Sequence, residues 1–242
     1  MKNRYKIITH VHTKYSHDSI LPFFLLYWKC RIDRIDYVAI TEHNTILGAK
    51  KFRDYCHQRG DKLKVILGEE IMTSDGEIIG LYINENVTPM MSSLETIKEI
   101  KRQGGIVYVP HPYDEKRYKT VLKEKFIREY KSDIDCIECH NGRNISGKFD
   151  INQNRIAEKY QIKKIIGADA HTVFEVGRNF MVTSYELDSS KQFISALDDF
   201  IFYPQPCFVF CHTLTKIDRF IKLLFRGEYR ELCQLIYKRI TK

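Results

Sequence analysis

The run Tyr5-Lys6-Ile7-Ile8-Thr9-His10-Val11-His12-Thr13 decides the fold. A short strand-forming segment ends in a polar cluster with two imidazoles, and a helix-like stretch follows near 20–33. The same order returns at Tyr37-Val38-Ala39-Ile40-Thr41-Glu42-His43-Asn44. Further strand-like runs are Lys64 to Leu67, Ile78 to Ile83, Ile106 to Val109, Asp135 to Cys139, Lys164 to Gly167 and Phe180 to Tyr185. Helix-like stretches lie near 47–60, 92–103, 119–131, 149–160 and 190–201. Strands alternating with helices predict a parallel α/β architecture. The one strong hairpin signal is Ser74-Asp75-Gly76, between the Lys64 and Ile78 runs.

The position of the chemistry-bearing residues sharpens this reading. His10 and His12 follow the first run, Glu42 and His43 the second, Glu69 and Glu70 the third, and His111 the fifth. Glu138, His140 and Asn141 end the sixth, and Asp169 and His171 follow the seventh. Parallel strands bring all these ends to one rim, where β/α proteins build their sites. So many acids and imidazoles are costly to bury unpaired, at several kcal/mol each, and bound cations remove that cost. The spacing of His10 and His12 puts both on one face, either as ligands of a shared cation or as a hydrogen-bonded or surface pair. Asp18 is either a further carboxylate ligand or, with Ser19, a helix cap.

Composition sets outer bounds. A chain of 242 residues, 43% hydrophobic and 29% charged, can bury a full core and is not a disordered tail. Its formal net charge of +8 admits anionic partners without naming one. Seven cysteines, an odd number, and an N-terminus without a signal-peptide pattern predict a reduced, cytoplasmic protein. Cys136 and Cys139 lie in a strand-like run, where alternation sets them on opposite faces and favours packing over a zinc half-site. The longest apolar run, Leu21 to Trp28, is far shorter than the ~20 residues that span a bilayer.

Five spaced motifs carry a family resemblance: His10-x-His12 with Asp18, Thr41-Glu42-His43-Asn44, Gly68-Glu69-Glu70-Ile71, Val109-Pro110-His111-Pro112 and Gly167-Ala168-Asp169-Ala170-His171. In order, from about residue 5 to 180, the set resembles the PHP family, the polymerase and histidinol phosphatase domain. The resemblance implies a distorted seven-stranded (β/α) TIM-like barrel, with a two- or three-metal centre at the C-terminal strand ends that hydrolyses phosphoesters. It implies His10, His12, Glu70 and Asp169 around one ion, Glu70 bridging to a second ion bound by His111, and Asp18, His43 and His171 at a third. Glu70 is preferred to Glu69 because the family pattern reads Gly-x-Glu. Glu42 stands where the family usually has Asp, and is expected to support the ligands rather than join them. For the second ion many members offer a further histidine; here the nearest candidate is Glu77, either a ligand or a solvated turn residue.

Imidazole and carboxylate donors without thiolates suit Zn, Mn or Fe. Such ions together acidify a water, which attacks the phosphorus, and clamp the phosphoryl oxygens. A guanidinium matches phosphate geometry, and Arg143 and Arg178 are the candidates, each with an ion-pair role as the alternative. His140 is a ligand, a general acid for the leaving group, or a hydrogen-bonded rim residue. The substrate classes are a phosphorylated small molecule or a nucleotide, with nucleic acid open. The alternatives are a non-catalytic metal-binding module that recognises a phosphorylated or nucleic-acid partner, and a related metallohydrolase acting on C–N bonds.

Beyond Pro204 the pattern changes. Residues 1–204 form the expected barrel, and 205–242 a basic amphipathic helical extension, with Leu214, Ile217, Phe220, Ile221, Leu224 and Phe225 at helical spacing and Leu232, Leu235 and Ile236 continuing it. From His212 on, eight Lys and Arg face three acids, a net of +5 that leaves +3 for the preceding residues. The expected arrangement docks the apolar face on the barrel with charges in water. Contact with an anionic membrane or with nucleic acid is the alternative.

Overall fold

The computed structural model describes residues 4–114, 117, 120–225 and 227–232. Its strands are β1 (Tyr5–Val11), β2 (Tyr37–His43), β3 (Lys64–Met72), β4 (Glu77–Leu81), β5 (Ile106–Val109), β6 (Cys136–Asn141), β7 (Lys163–Gly167), β8 (Phe180–Thr183) and β9 (Ile201–Tyr203). The helices are α1 (Phe23–Ile32), α2 (Leu47–His57), α3 (Ser93–Arg102), α4 (Glu124–Glu129), α5 (Gly147–Tyr160), α6 (Ser190–Ala196) and α7 (Val209–Phe225). Polar starts fix several of them: Ser92 and Glu95 make a reciprocal capping box for α3, and the Ser146 and Ser189 side chains accept backbone N–H groups at the starts of α5 and α6.

One sheet runs in the order β7-β6-β5-β4-β3-β2-β1-β8-β9. β1, β2 and β3 are parallel, as are β5, β6 and β7, and β4 lies antiparallel between the two sets. The sheet then nearly closes. Past the end of β7, Ala168 N–H donates to the Thr9 carbonyl (2.9 Å), Ala170 N–H to that of His10 (3.1 Å), and His12 N–H to that of Ala170 (2.8 Å). The outer edge of β1 is therefore divided. Tyr5 to Ile7 pair with antiparallel β8, and the half that carries the histidines pairs with the segment after β7.

Among the described residues the sheet has nine strands, which corrects the expectation of seven. β8 and β9 extend the barrel as an antiparallel flap. β9 escaped the sequence reading because three partly exposed residues, placed where a helix-like stretch ends, carry no alternation.

Alternation along the strands sorts the core into two apolar layers. Ile7, Ala39, Ile66, Ile79, Leu81, Tyr108 and Ile165 belong to one cluster, and Ile8, Val38, Ile40, Ile71 and Val109 to the other, with Leu26, Phe52, Ile100 and Ile156 from the helices. Each fully buried aliphatic side chain contributes about 1.5–3 kcal/mol. A register shift between Glu138 and His140 breaks strict alternation in β6, so Cys136 and Cys139 share one cluster instead of facing apart.

α7 lies on the barrel differently from the sequence expectation. Cys211, His212, Thr215, Asp218 and Lys222 hydrogen-bond to the barrel and Leu223 is buried, whereas Ile217, Phe220 and Leu224 are exposed. The continuation of the pattern at Leu235 and Ile236 lies outside the described residues.

Candidate metal centre

The sheet topology explains which residues meet. β1, β2, β3, β5, β6 and β7 end at one rim, and antiparallel β4 begins there, so the rim receives the first residue of β4, Glu77. His43 and Glu70 are register partners on neighbouring strands. His10, His111 and Asp169 have positive φ values of 60°, 29° and 47°, a conformation that costs on the order of 1–3 kcal/mol in a non-glycine residue. Such backbone turns the three side chains into the barrel mouth.

Glu70 is the hub. Its Oε2 lies 3.4 Å from His10 Nε2, 3.3 Å from His12 Nε2 and 3.1 Å from His43 Nδ1, and its Oε1 lies 3.1 Å from His111 Nε2. Asp169 Oδ1 stands 3.6 Å from His10 Nε2 and 3.7 Å from His12 Nε2. Across the mouth, Asp18 Oδ2 is 3.2 Å from His171 Nε2 and 3.6 Å from His43 Nε2. Glu77 is buried, with Oε2 3.5 Å from His111 Nε2 and Oε1 4.0 Å from His43 Nδ1, so it joins the cluster and is not a solvated turn residue.

The surrounding hydrogen bonds fix the imidazole tautomers. His10 Nδ1 donates to Glu138 Oε1 at 2.7 Å. The Ser16 hydroxyl donates to Glu42 Oε2 (2.6 Å), so its oxygen accepts from His12 Nδ1 (2.9 Å). His171 Nδ1 donates to the Asp169 carbonyl (2.9 Å). All three rings therefore direct Nε2 to the centre, the arrangement that metal-binding histidines take from their outer partners. Glu138, which also accepts from the Tyr108 hydroxyl, His111 N–H and Asn141 Nδ2, is placed beneath the cluster, not in it. Glu42, held by Thr13 and Ser16, supports His12 from behind.

The electrostatics require positive charge. Burial disfavours the imidazolium of His43, yet Glu70 and Asp18 carry its pKa up to about 10. Burial opposes the charged form of His10 too, and Asp169, Glu70 and Glu138 still raise it. Burial would raise the pKa values of Glu70 and Asp169; the His10 and His43 rings lower the first, and Arg117 and His10 the second. His12 is lowered by burial and by the His171 and His43 rings around it.

The donors fit divalent cations. Among the described residues His10 Nε2, His12 Nε2, Asp18 Oδ1, Glu70 Oε2, His111 Nδ1 and Asp169 Oδ1 are buried without a hydrogen-bond partner. Ligand atoms about 2.1 Å from a tetrahedral ion stand about 3.4 Å apart, close to the 3.3–3.7 Å among His10, His12, Glu70 and Asp169. Four overlapping donor groups can be drawn: His12, Asp18, His43 and His171; His10, His111 and Asp169; His10, His12 and Glu70; and His43, Glu70 and Glu77. No cysteine belongs to any of them.

The structure gathers all eight ligand candidates and separates the three catalytic ones from them. His140 uses both ring nitrogens elsewhere: Nδ1 lies 3.1 Å from Asp150 Oδ2 and Nε2 3.0 Å from Asn179 Oδ1. Arg143 is buried with Nη2 3.0 Å from Thr215 Oγ1 and 3.3 Å from His212 Nδ1, against α7. Arg178 donates to the Pro206 carbonyl (2.8 Å) and stacks over the Phe208 ring. The guanidinium at the cluster is that of Arg117, whose Nη2 donates to Asp169 Oδ2 at 2.6 Å. No local motif marks Arg117, since it reaches the cluster from the segment after β5.

Comparison with known proteins places the sequence and the fold. The model of the PHP domain matches residues 9–166. An uncharacterised protein of Methanocaldococcus jannaschii is 36% identical over 168 residues, covering 64% of this chain and 91% of the relative. A second from the same organism is 32% identical over 189 residues, covering 77% and 73%. Among solved structures, a two-domain protein of Bacteroides vulgatus, described as containing a predicted PHP-like metal-dependent phosphoesterase, shares the fold at a TM-score of 0.66 and 18% identity. That match covers 84% of this chain, which spans 65% of the Bacteroides protein. With the domain model matched over residues 9–166, the chain belongs to the PHP-domain family.

Proposed function

We propose that the chain hydrolyses a phosphoester, on a phosphorylated small molecule, a nucleotide or a nucleic-acid end, with water as the nucleophile. The observation that carries this reading is the two-sided placement of Glu70, with Oε2 toward His10 and His12 and Oε1 toward His111. His10, His12, Glu70 and Asp169 hold one divalent ion in this reading, and His111, Glu70 and Glu77 a second. Asp18, His43 and His171 hold a third. Zn, Mn and Fe suit these donors. Such ions, when bound, supply Lewis acidity to water and to phosphoryl oxygens.

The chain's own residues do the rest. Glu138 and Ser16 hold His10 and His12 in the tautomer that presents Nε2. Arg117 steadies Asp169 while its Nε lies 3.4 Å from Asp114 Oδ2, and its guanidinium fork would match a phosphoryl group bound beside Asp169. His140, engaged on both nitrogens, is a positioning residue for the rim, and the leaving group takes its proton from water. Arg143 anchors α7, and Arg178 braces the segment before it.

The test is hydrolysis of p-nitrophenyl phosphate and bis(p-nitrophenyl) phosphate with added Mn²⁺ or Zn²⁺. Turnover that EDTA removes and that His10→Ala abolishes is expected. Absence of metal-dependent turnover on both substrates and on nucleotide phosphates would leave the binding-module reading in its place.

A further inference from the structure

α7 buries Leu223 and half-buries Leu214 and Ile221, but it also turns polar side chains to the barrel and leaves an apolar stripe on its outer face. Toward the barrel, Thr172 donates to Cys211 Sγ (3.6 Å), Arg143 to Thr215 Oγ1 (3.0 Å), Ile20 N–H to Asp218 Oδ2 (3.4 Å), and Lys222 Nζ to the carbonyls of Lys14 (2.7 Å) and Ser16. Away from it, Val209, Ile217, Phe220 and Leu224 are 69, 48, 36 and 45% exposed. Phe210 and Phe174, also exposed and 5.4 Å apart edge to face, extend the patch. Lys216 and Arg219 are exposed along one flank, and the single carboxylate of α7, Asp218, is turned inward.

We propose that this face seats the protein on an anionic lipid bilayer, with α7 lying in the interface plane. An apolar stripe edged by Lys and Arg is what an interfacial helix presents to acyl chains and anionic headgroups. Two copies meeting on this face would bring like charges together, and a nucleic acid would neutralise the cations but leave the stripe in water. No helix of the described residues is long and apolar enough to cross a membrane, so α7 rests on the surface. Its anchors include the Ser16 carbonyl, on the residue that orients His12, and Ile20, close to Asp18. The seated face is therefore tied to the loop at the mouth of the metal centre.

Co-sedimentation of the full chain with phosphatidylcholine vesicles and with equimolar phosphatidylcholine/phosphatidylglycerol vesicles tests this. Binding to the anionic vesicles at least about tenfold tighter than to the neutral ones is expected. Phe220→Glu with Leu224→Glu should remove it, and Lys216→Glu with Arg219→Glu should weaken it about tenfold, with the thermal melts unchanged. In Phe220→Trp, a blue shift of the emission on adding anionic vesicles reports insertion in the folded protein. The proposal is overturned by no binding to anionic vesicles, by a dimer that the apolar substitutions dissolve, or by oligonucleotide binding that survives Phe220→Glu in the absence of lipid binding.

Discussion

His10 Nδ1 and Glu138 Oε1 stand 2.7 Å apart with both side chains fully buried, and this pair sets the direction of the metal-facing nitrogen. Glu138 is held in turn by Tyr108, the His111 backbone and Asn141, so one carboxylate orients ligands from two strands. Glu138→Gln keeps the shape and removes the charge. Metal affinity measured by calorimetry should fall about 10–100-fold with the fold retained. An unchanged affinity would show that the pair does not orient His10.

Gly167 leaves the space that Glu138 occupies, since a Cβ there would overlap Glu138 Oε1 and crowd the Tyr108 hydroxyl. Gly167→Ala should cost about 1–3 kcal/mol in denaturant unfolding and weaken metal binding in parallel. Lost stability with unaltered metal affinity would separate Glu138 from the centre.

Much of the site was legible in the sequence because ligands at the ends of parallel strands must share a rim. That logic needs only strand direction, and it brought His10, His12, His43, Glu70, His111, Asp169 and His171 together across more than 160 residues of chain. The Ser74-Asp75-Gly76 hairpin makes β4 antiparallel and brings its first residue, Glu77, to the rim, but a residue next to a turn is as often solvated, and only its burial against His111 decides. His140, at a strand end like the others, is turned aside by the β6 register shift and claimed by Asp150 and Asn179. Arg117 and β9 had no local signal, and the apolar spacing of α7 gave its periodicity without saying which side faces the barrel.

Glu70 and Glu77 differ in how many ion positions they serve. Metal analysis of purified protein should show Glu77→Gln losing one ion and Glu70→Gln losing more than one. Equal losses would remove the bridging role of Glu70.

His140 supplies a pH signature. Burial opposes its imidazolium, but Asp150 and Asn179 outweigh burial and raise its pKa above the unfolded value of about 6.5. Its stabilising contribution is therefore fully present below about pH 6.5 and is lost as pH rises through the folded value. Urea unfolding at a series of pH values should show this decline in the wild type and its removal in His140→Gln. Identical slopes in the two proteins would contradict the doubly hydrogen-bonded imidazolium.

The central claim is that the rim histidines and carboxylates hold metal ions. Anomalous diffraction at the absorption edges of zinc, manganese and iron tests it most directly. The account predicts a peak about 2.0–2.2 Å from His10 Nε2, His12 Nε2 and the Glu70 and Asp169 carboxylates, and a second one between Glu70 and His111. A metal-soaked crystal with no peak at these atoms would contradict it.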